Sequence, residues 1–199
     1  PKTTLNIAYE SLTQRGLYSQ NSYRGQWGYL WSRGTQVEHS FIPFSFNIIR
    51  PGNITEEFVN RLFTSPNFQD QLRYIRILEN RLILESIYTI SYRPTPKPGS
   101  RHQWALSGGV NLAGNLADLF AKRNEESGTK ELFNIQFEQF VRFDAEARYY
   151  LQLSPKLRWA NRFVGGLGIA YGNSILLPPF KQYFAGGSTG IRAFRARTL

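Results

Sequence analysis

The run from Asn134 to Leu153 alternates in side-chain character along almost its whole length. Its odd positions are Ile135, Phe137, Gln139, Val141, Phe143, Ala145, Ala147, Tyr149, Leu151 and Leu153, apolar with one exception. Its even positions include Asn134, Gln136, Glu138, Arg142, Asp144, Glu146, Arg148 and Gln152. Successive side chains of a strand point to opposite faces, so this pattern demands an extended strand with one apolar and one charged face. Crossing the hydrocarbon of a bilayer takes ~9 to 11 strand residues, and this run exceeds that. Two architectures accept such a strand. In a soluble barrel the apolar face is the interior and the charges meet bulk water. In a membrane barrel the sign inverts: Ile135, Phe137 and Val141 meet lipid, while Glu138, Arg142, Asp144, Glu146 and Arg148 line a wet lumen and pair there. Periodicity alone does not choose between them.

The same period recurs along the chain. Thr3 to Glu10, Tyr23 to Arg33, Thr35 to Arg50, Arg81 to Arg93, Arg101 to Asn115 and Leu157 to Gly172 each read as a strand, giving about seven in all. Between Thr35 and Arg50 the apolar phase moves from Val37 and Phe41 to Ile42, Phe44, Phe46 and Ile48, which places a bulge at Pro43, a residue unable to donate to the ladder. Ser11 to Ser22 reads as a loop. One region is helical: Phe58/Leu62 and Val59/Phe63 follow an acidic first turn at Glu56 and Glu57, and Ser65-Pro66 opens a second short helix carrying Phe68, Leu72 and Ile75. Turns at Ser32–Thr35, Pro94–Ser100 and Ser154–Lys156 are short. The connections at 11–22, 51–80 and 116–133 and the one after Gly172 are longer. Short turns at one end and long loops at the other are the habit of outer-membrane barrels.

Aromatic residues on the apolar side near strand ends, Trp27, Trp31, Tyr92, Trp104, Tyr149, Trp159 and Tyr171, suit the girdle at a membrane interface. No apolar run approaches the ~18 residues of a spanning helix, so a membrane crossing has to be made by strands. The net charge of +10 suggests an anionic neighbour, either nucleic acid or the phosphate-rich surface of a membrane, and the membrane reading calls for no nucleic acid. Cysteine is absent, which excludes disulfides and thiolate metal sites. His39 and His102 lack metal-ligand spacing and read as structural or interfacial rings. Asp144 and Glu146 share a face, but Arg142 and Arg148 share it too, so a salt-bridged wall accounts for them better than a pair of catalytic carboxylates. No catalytic residue, cofactor or metal is expected.

The chain ends on Tyr-Phe-Ala-Gly-Gly-Ser-Thr-Gly-Ile-Arg-Ala-Phe-Arg-Ala-Arg-Thr-Leu, residues 183–199. The order Phe184, Gly186, Gly187, Ile191, Arg192, Phe194 resembles the signature loop of the outer-membrane assembly superfamily, the bacterial surface antigen or BamA/TamA-type barrels, with Ala193 where that family has glycine. Gly172-Asn173-Ser174 and Leu177 to Gln182 look like the lead-in to that loop. Trp31 to Ser40 and Tyr88 to Tyr92 look like its earlier strands. The resemblance implies an all-β fold, part of an antiparallel transmembrane β-barrel of about seven strands with short helices in the long loops. Residues 1–199 would be a partial barrel truncated at both ends, and 173–199 an extracellular loop folding back into the lumen. It further implies a bacterial outer-membrane protein that inserts or translocates other proteins, in contact with outer-membrane lipid, client outer-membrane or secreted proteins, and periplasmic domains and accessory subunits outside this chain. In that loop Arg192 would reach a carboxylate of the lumen. Two other functions are compatible with the residues: a passive barrel anchoring a fused activity, and a soluble antiparallel barrel binding an anionic ligand.

Overall fold

The computed structural model of this 199-residue chain describes residues 1–64, 71, 75, 79–95, 99–125, 128–178 and 181–183, with the side chains of 61 and 62 left aside. Seven long strands make an antiparallel meander: β1 (Lys2–Gln14), β2 (Tyr18–Arg33), β3 (Val37–Gly52), β4 (Arg81–Tyr92), β5 (His102–Ala113), β9 (Phe140–Ser154) and β10 (Leu157–Ala170), each hydrogen-bonded to the next. Three short strands, β6 (Lys122–Arg123), β7 (Lys130–Leu132) and β8 (Ile135–Phe137), lie between β5 and β9 and join the sheet where β8 runs parallel to the start of β4. Helix α1 (Glu56–Thr64) follows β3, and the single turn α2 (Asn115–Asp118) follows β5. Among the described residues β1 and β10 do not pair with each other, so the sheet is open. Among the described residues no helix is long and apolar enough to cross a membrane.

The register places like with like across the sheet. One row runs Thr3, Tyr29, Phe41, Tyr88, Val110, Phe143, Leu167 from β1 to β10. Its neighbour on the opposite face runs Glu38, Ser91, Ser107, Glu146, Val164. The two faces are therefore each continuous over the strands, one apolar and one largely polar. The apolar face is bare. On strands with a neighbour at both sides, Phe41 is 38% exposed, Ile90 38%, Leu106 44% and Phe143 44%. A contiguous apolar face left bare across neighbouring strands marks a surface that meets another apolar phase or a partner.

The bulge at Pro43 is present. Against both neighbouring strands β3 carries one extra residue there, between Phe41 and Phe44 on the β2 side and between Ile42 and Ser45 on the β4 side. The carbonyl of Pro43 accepts the hydroxyl of Ser86 at 2.7 Å. Helix α1 begins after Thr55, whose Oγ1 accepts the amide of Phe58 at 3.3 Å and lies 2.8 and 2.9 Å from the carbonyls of Gly16 and Leu17. Phe58 is buried against the ring of Tyr18, 5.0 Å away, so the helix start is tied to the first hairpin. The second helical stripe, with Ser65, Pro66, Phe68 and Leu72, lies outside the described residues.

Two expectations are corrected. Ser11 to Ser22 is not a loop: β1 and β2 pair in register as far as Gln14 and Tyr18, leaving a turn of Arg15, Gly16 and Leu17. Main-chain ladders need no side-chain alternation, and here polar side chains reinforce the pairing, since Tyr9 and Ser11 both reach Asn21 Oδ1 at 3.1 and 2.9 Å. Nor is Asn134 to Leu153 one strand. β8 turns in from β7 through Phe133 and Asn134, both at positive φ (55° and 59°), pairs with β4, and stops; Glu138 and Gln139 form a step before β9 begins. Phe137, expected on the lipid side, is fully buried with Leu82 and Ala117, packed over Ile48, Leu84, Leu132 and Ile135.

Candidate functional site

The polar face becomes a site where the chain after β10 returns across it. Arg142, Asp144, Glu146 and Arg148 stand at alternate positions of β9 and share this face, as the alternation requires. Arg142 Nη2 donates to Asp144 Oδ1 at 2.9 Å, Arg148 Nε donates to Glu146 Oε1, and Arg162 Nε of β10 donates to the same Glu146 oxygen at 3.0 Å. The charges of the wall thus pair with one another within and across strands. A hollow of about 230 Å³ lies beside them, floored by Thr89, Ser107, Gly109 and Asn111 and edged by Asp144 and Glu146.

Glu138 reaches the same side by another route. It sits in the step between β8 and β9, not in the row of Arg142 to Arg148, and is buried. Its carboxylate takes Arg81 Nη1 from the start of β4 on one oxygen and the hydroxyl of Ser174 on the other. Ser174 Oγ in turn accepts the amide of Gln139 at 2.9 Å, and Gln139 Oε1 accepts the amide of Asn173 at 2.6 Å. Asn173 Nδ2 donates to the carbonyls of Lys130 and Phe137 at 2.8 and 2.9 Å. Gly172-Asn173-Ser174 is therefore knitted into the strand step, with Gly172 at φ +57° and so close to Gln139 that a Cβ would lie 2.2 Å from its Oε1.

Beyond Ser174 the chain crosses the polar face. Leu177 packs on a small apolar cluster of Ile49, Ile83, Ala113 and Phe140. Lys181 Nζ lies 2.9 and 2.7 Å from the two oxygens of Glu85, a buried carboxylate that also accepts Asn111 Nδ2 at 2.8 Å. The Tyr183 hydroxyl accepts Arg142 Nε at 2.9 Å and lies 2.8 Å from both Asp144 Oδ1 and the Phe143 carbonyl. Arg142 also covers the Tyr183 ring, 4.5 Å from its centroid. Glu85 and Lys181 are 96 residues apart, so no local sequence pattern joins them.

Phe184, Gly186, Gly187, Ile191, Arg192 and Phe194 lie outside the described residues, which end at Tyr183. The two histidines are on the apolar face. His39 stacks on Trp31 (5.1 Å between centroids) with Nδ1 2.8 Å from the Tyr88 hydroxyl, and His102 Nδ1 is 2.7 Å from the Tyr149 hydroxyl, whose ring packs on Trp104 at 4.5 Å. Each is a Trp-His-Tyr group on the side that bears the exposed aromatics. Neither ring has a second histidine or a carboxylate among these contacts.

Compared with known proteins, the chain matches no curated protein and no solved structure. A family model does match: residues 119–199, which hold β9, β10, the segment crossing the polar face and the glycine-arginine motif, fit the Omp85 superfamily domain. Over residues 119–199 this chain is similar to the Omp85 superfamily domain.

Proposed function

We propose that this chain is part of an outer-membrane barrel that inserts or translocates other proteins at the bacterial outer membrane, with no catalytic chemistry of its own. The observation that carries the reading is the inversion of the sheet. Its apolar face is the bare one, and its polar face is the one with buried charges, paired arginines and a returning segment of chain. Lipid suits the first face and a wet lumen the second. A soluble barrel binding an anionic ligand would need the opposite arrangement. Outer-membrane lipid is accordingly the neighbour of the apolar face. Client outer-membrane or secreted proteins, preceding periplasmic domains and accessory subunits are the partners. The Omp85 superfamily match over residues 119–199 supports this class of activity.

A barrel that assembles others has a physical means of doing so, because a strand edge that pairs weakly can accept an incoming strand through main-chain hydrogen bonds. The test is depletion of the full-length protein in its own cell, followed by quantification of the other outer-membrane barrels and of secreted proteins. A general fall in folded outer-membrane barrels supports insertion, and a selective loss of one secreted product supports translocation. Unchanged levels of both, with the protein itself still fractionating to the outer membrane, would favour a passive anchor instead.

A further inference from the structure

The segment that crosses the polar face is matched to the wall in shape as well as charge. On β10, Gly166 and Gly168 are the residues that face it. A Cβ at Gly168 would fall 2.4 Å from Leu177 Cδ1, and one at Gly166 would fall 2.3 Å from Tyr183 Cζ. Gly165, on the other face of the same strand, has nothing within 4 Å. Two glycines thus leave a track in the wall, and Leu177 and Tyr183 fill it. Between them Lys181 is pinned to Glu85, whose carboxylate is 6% exposed as a side chain and held from behind by Asn111. A buried carboxylate with a single ammonium on it is a poor place for solvent and a strong place for one specific cation.

We propose that Lys181 with Glu85, and Leu177 and Tyr183 on the Gly168–Gly166 track, form an anchor that holds the chain against the polar wall before the glycine-arginine motif begins, independently of Arg192. The anchor deepens the reading above, since it names what positions the returning loop, and it rests on that reading only for the loop's role in assembly. Lys181, Leu177 and Tyr183 are positioning residues. They fix Tyr183, the residue that precedes the motif in sequence, at one place on the wall. Chain following a fixed point explores far less volume than chain tethered only at Gly172.

The chain has no cysteine, which allows a direct test in the full-length protein. A Cβ at Gly168 would lie 3.5 Å from Leu177 Cγ, the place a cysteine sulfur takes in that side chain, so Gly168→Cys with Leu177→Cys should cross-link on mild oxidation in isolated outer membranes. Gly165→Cys with Leu177→Cys, on opposite faces, should not. Adding Lys181→Glu to the first pair should cut the cross-linked fraction severalfold. Adding Glu85→Lys as well should restore it, because the exchange of charges rebuilds the pair. Gly166→Val, which fills the track without altering a charge, should also cut cross-linking, whereas Gly165→Val should not. Absence of the cross-link in the parent pair, or its persistence in both Lys181→Glu and Gly166→Val, would overturn the anchor. Cross-linking is read on the protein itself, so a result as expected in a protein that assembles no client keeps the anchor and removes only the proposed function.

Discussion

Arg81, the first residue of β4, is ion-paired with Glu138 in the step between β8 and β9, and both side chains are buried. The pair fixes the point where the chain leaves the short strands and enters the long β9. It also sets the place of Ser174, which bonds the other Glu138 oxygen. Removing one member of a buried pair strands the other charge, at a cost of about 3 to 5 kcal/mol. Arg81 Nη2 keeps its ion pair with Glu79 at 2.5 Å, so Glu138→Ala should lower the unfolding free energy of the full-length protein clearly, but by less than that full amount. Asp118→Asn, which breaks the exposed pair with Lys130, should have a far smaller effect. Denaturant unfolding of the refolded protein measures both, and equal losses would contradict the buried role of Glu138.

Thr55 should act as the clasp between the first hairpin and α1. It caps the helix and reaches the Gly16 and Leu17 carbonyls, so Thr55→Ala should cost about 0.5 to 2 kcal/mol. Thr55→Ser keeps the hydroxyl and should recover most of the loss. The readout is the same unfolding measurement, joined by the rate of proteolysis near residue 16.

Arg192 is expected to need its planar fork. Lysine keeps the charge but loses the bidentate geometry, so Arg192→Lys should fail in complementation nearly as badly as Arg192→Ala, and Arg195→Ala should not. Glu138, Asp144 and Glu146 each already hold a cation of the wall: Arg81, Arg142, and Arg148 with Arg162. Asp144→Asn and Glu146→Gln should then fall short of the Arg192→Ala defect. Wild-type growth of Arg192→Ala would remove the role assigned to that arginine.

The seven long strands were legible because alternation survives wherever both faces of a strand are set by different surroundings, and the Pro43 bulge because the apolar phase visibly moves there. The row Arg142 to Arg148 followed from the same rule. The step at Glu138–Gln139 had a signal that the longer pattern masked. Gln139 is polar at an odd position and Phe140 apolar at an even one, which is an inversion of phase, and Phe140 is fully buried. The β1–β2 pairing beyond Glu10 carried no such mark, since its residues, Leu12 and Tyr18 aside, are polar on both faces and held by main-chain bonds. The Lys181–Glu85 pair lay beyond any local pattern. Its partners belong to different elements, and only the folded sheet brings them together.

The central claim is that the apolar face meets lipid and the polar face does not, and one pair of arginine substitutions tests it most directly. Val110 lies in the apolar row between Tyr88 and Phe143, while Thr89 faces the polar hollow edged by Asp144 and Glu146. An arginine on the lipid face near the middle of the membrane costs about 2 to 4 kcal/mol, and one in a wet, polar hollow costs much less. The measurement is the folded yield of full-length Val110→Arg and Thr89→Arg in the outer membrane at equal expression. A severe loss for Val110→Arg with near-normal yield for Thr89→Arg is the expected result. Equal yields, or a greater loss for Thr89→Arg, would contradict it.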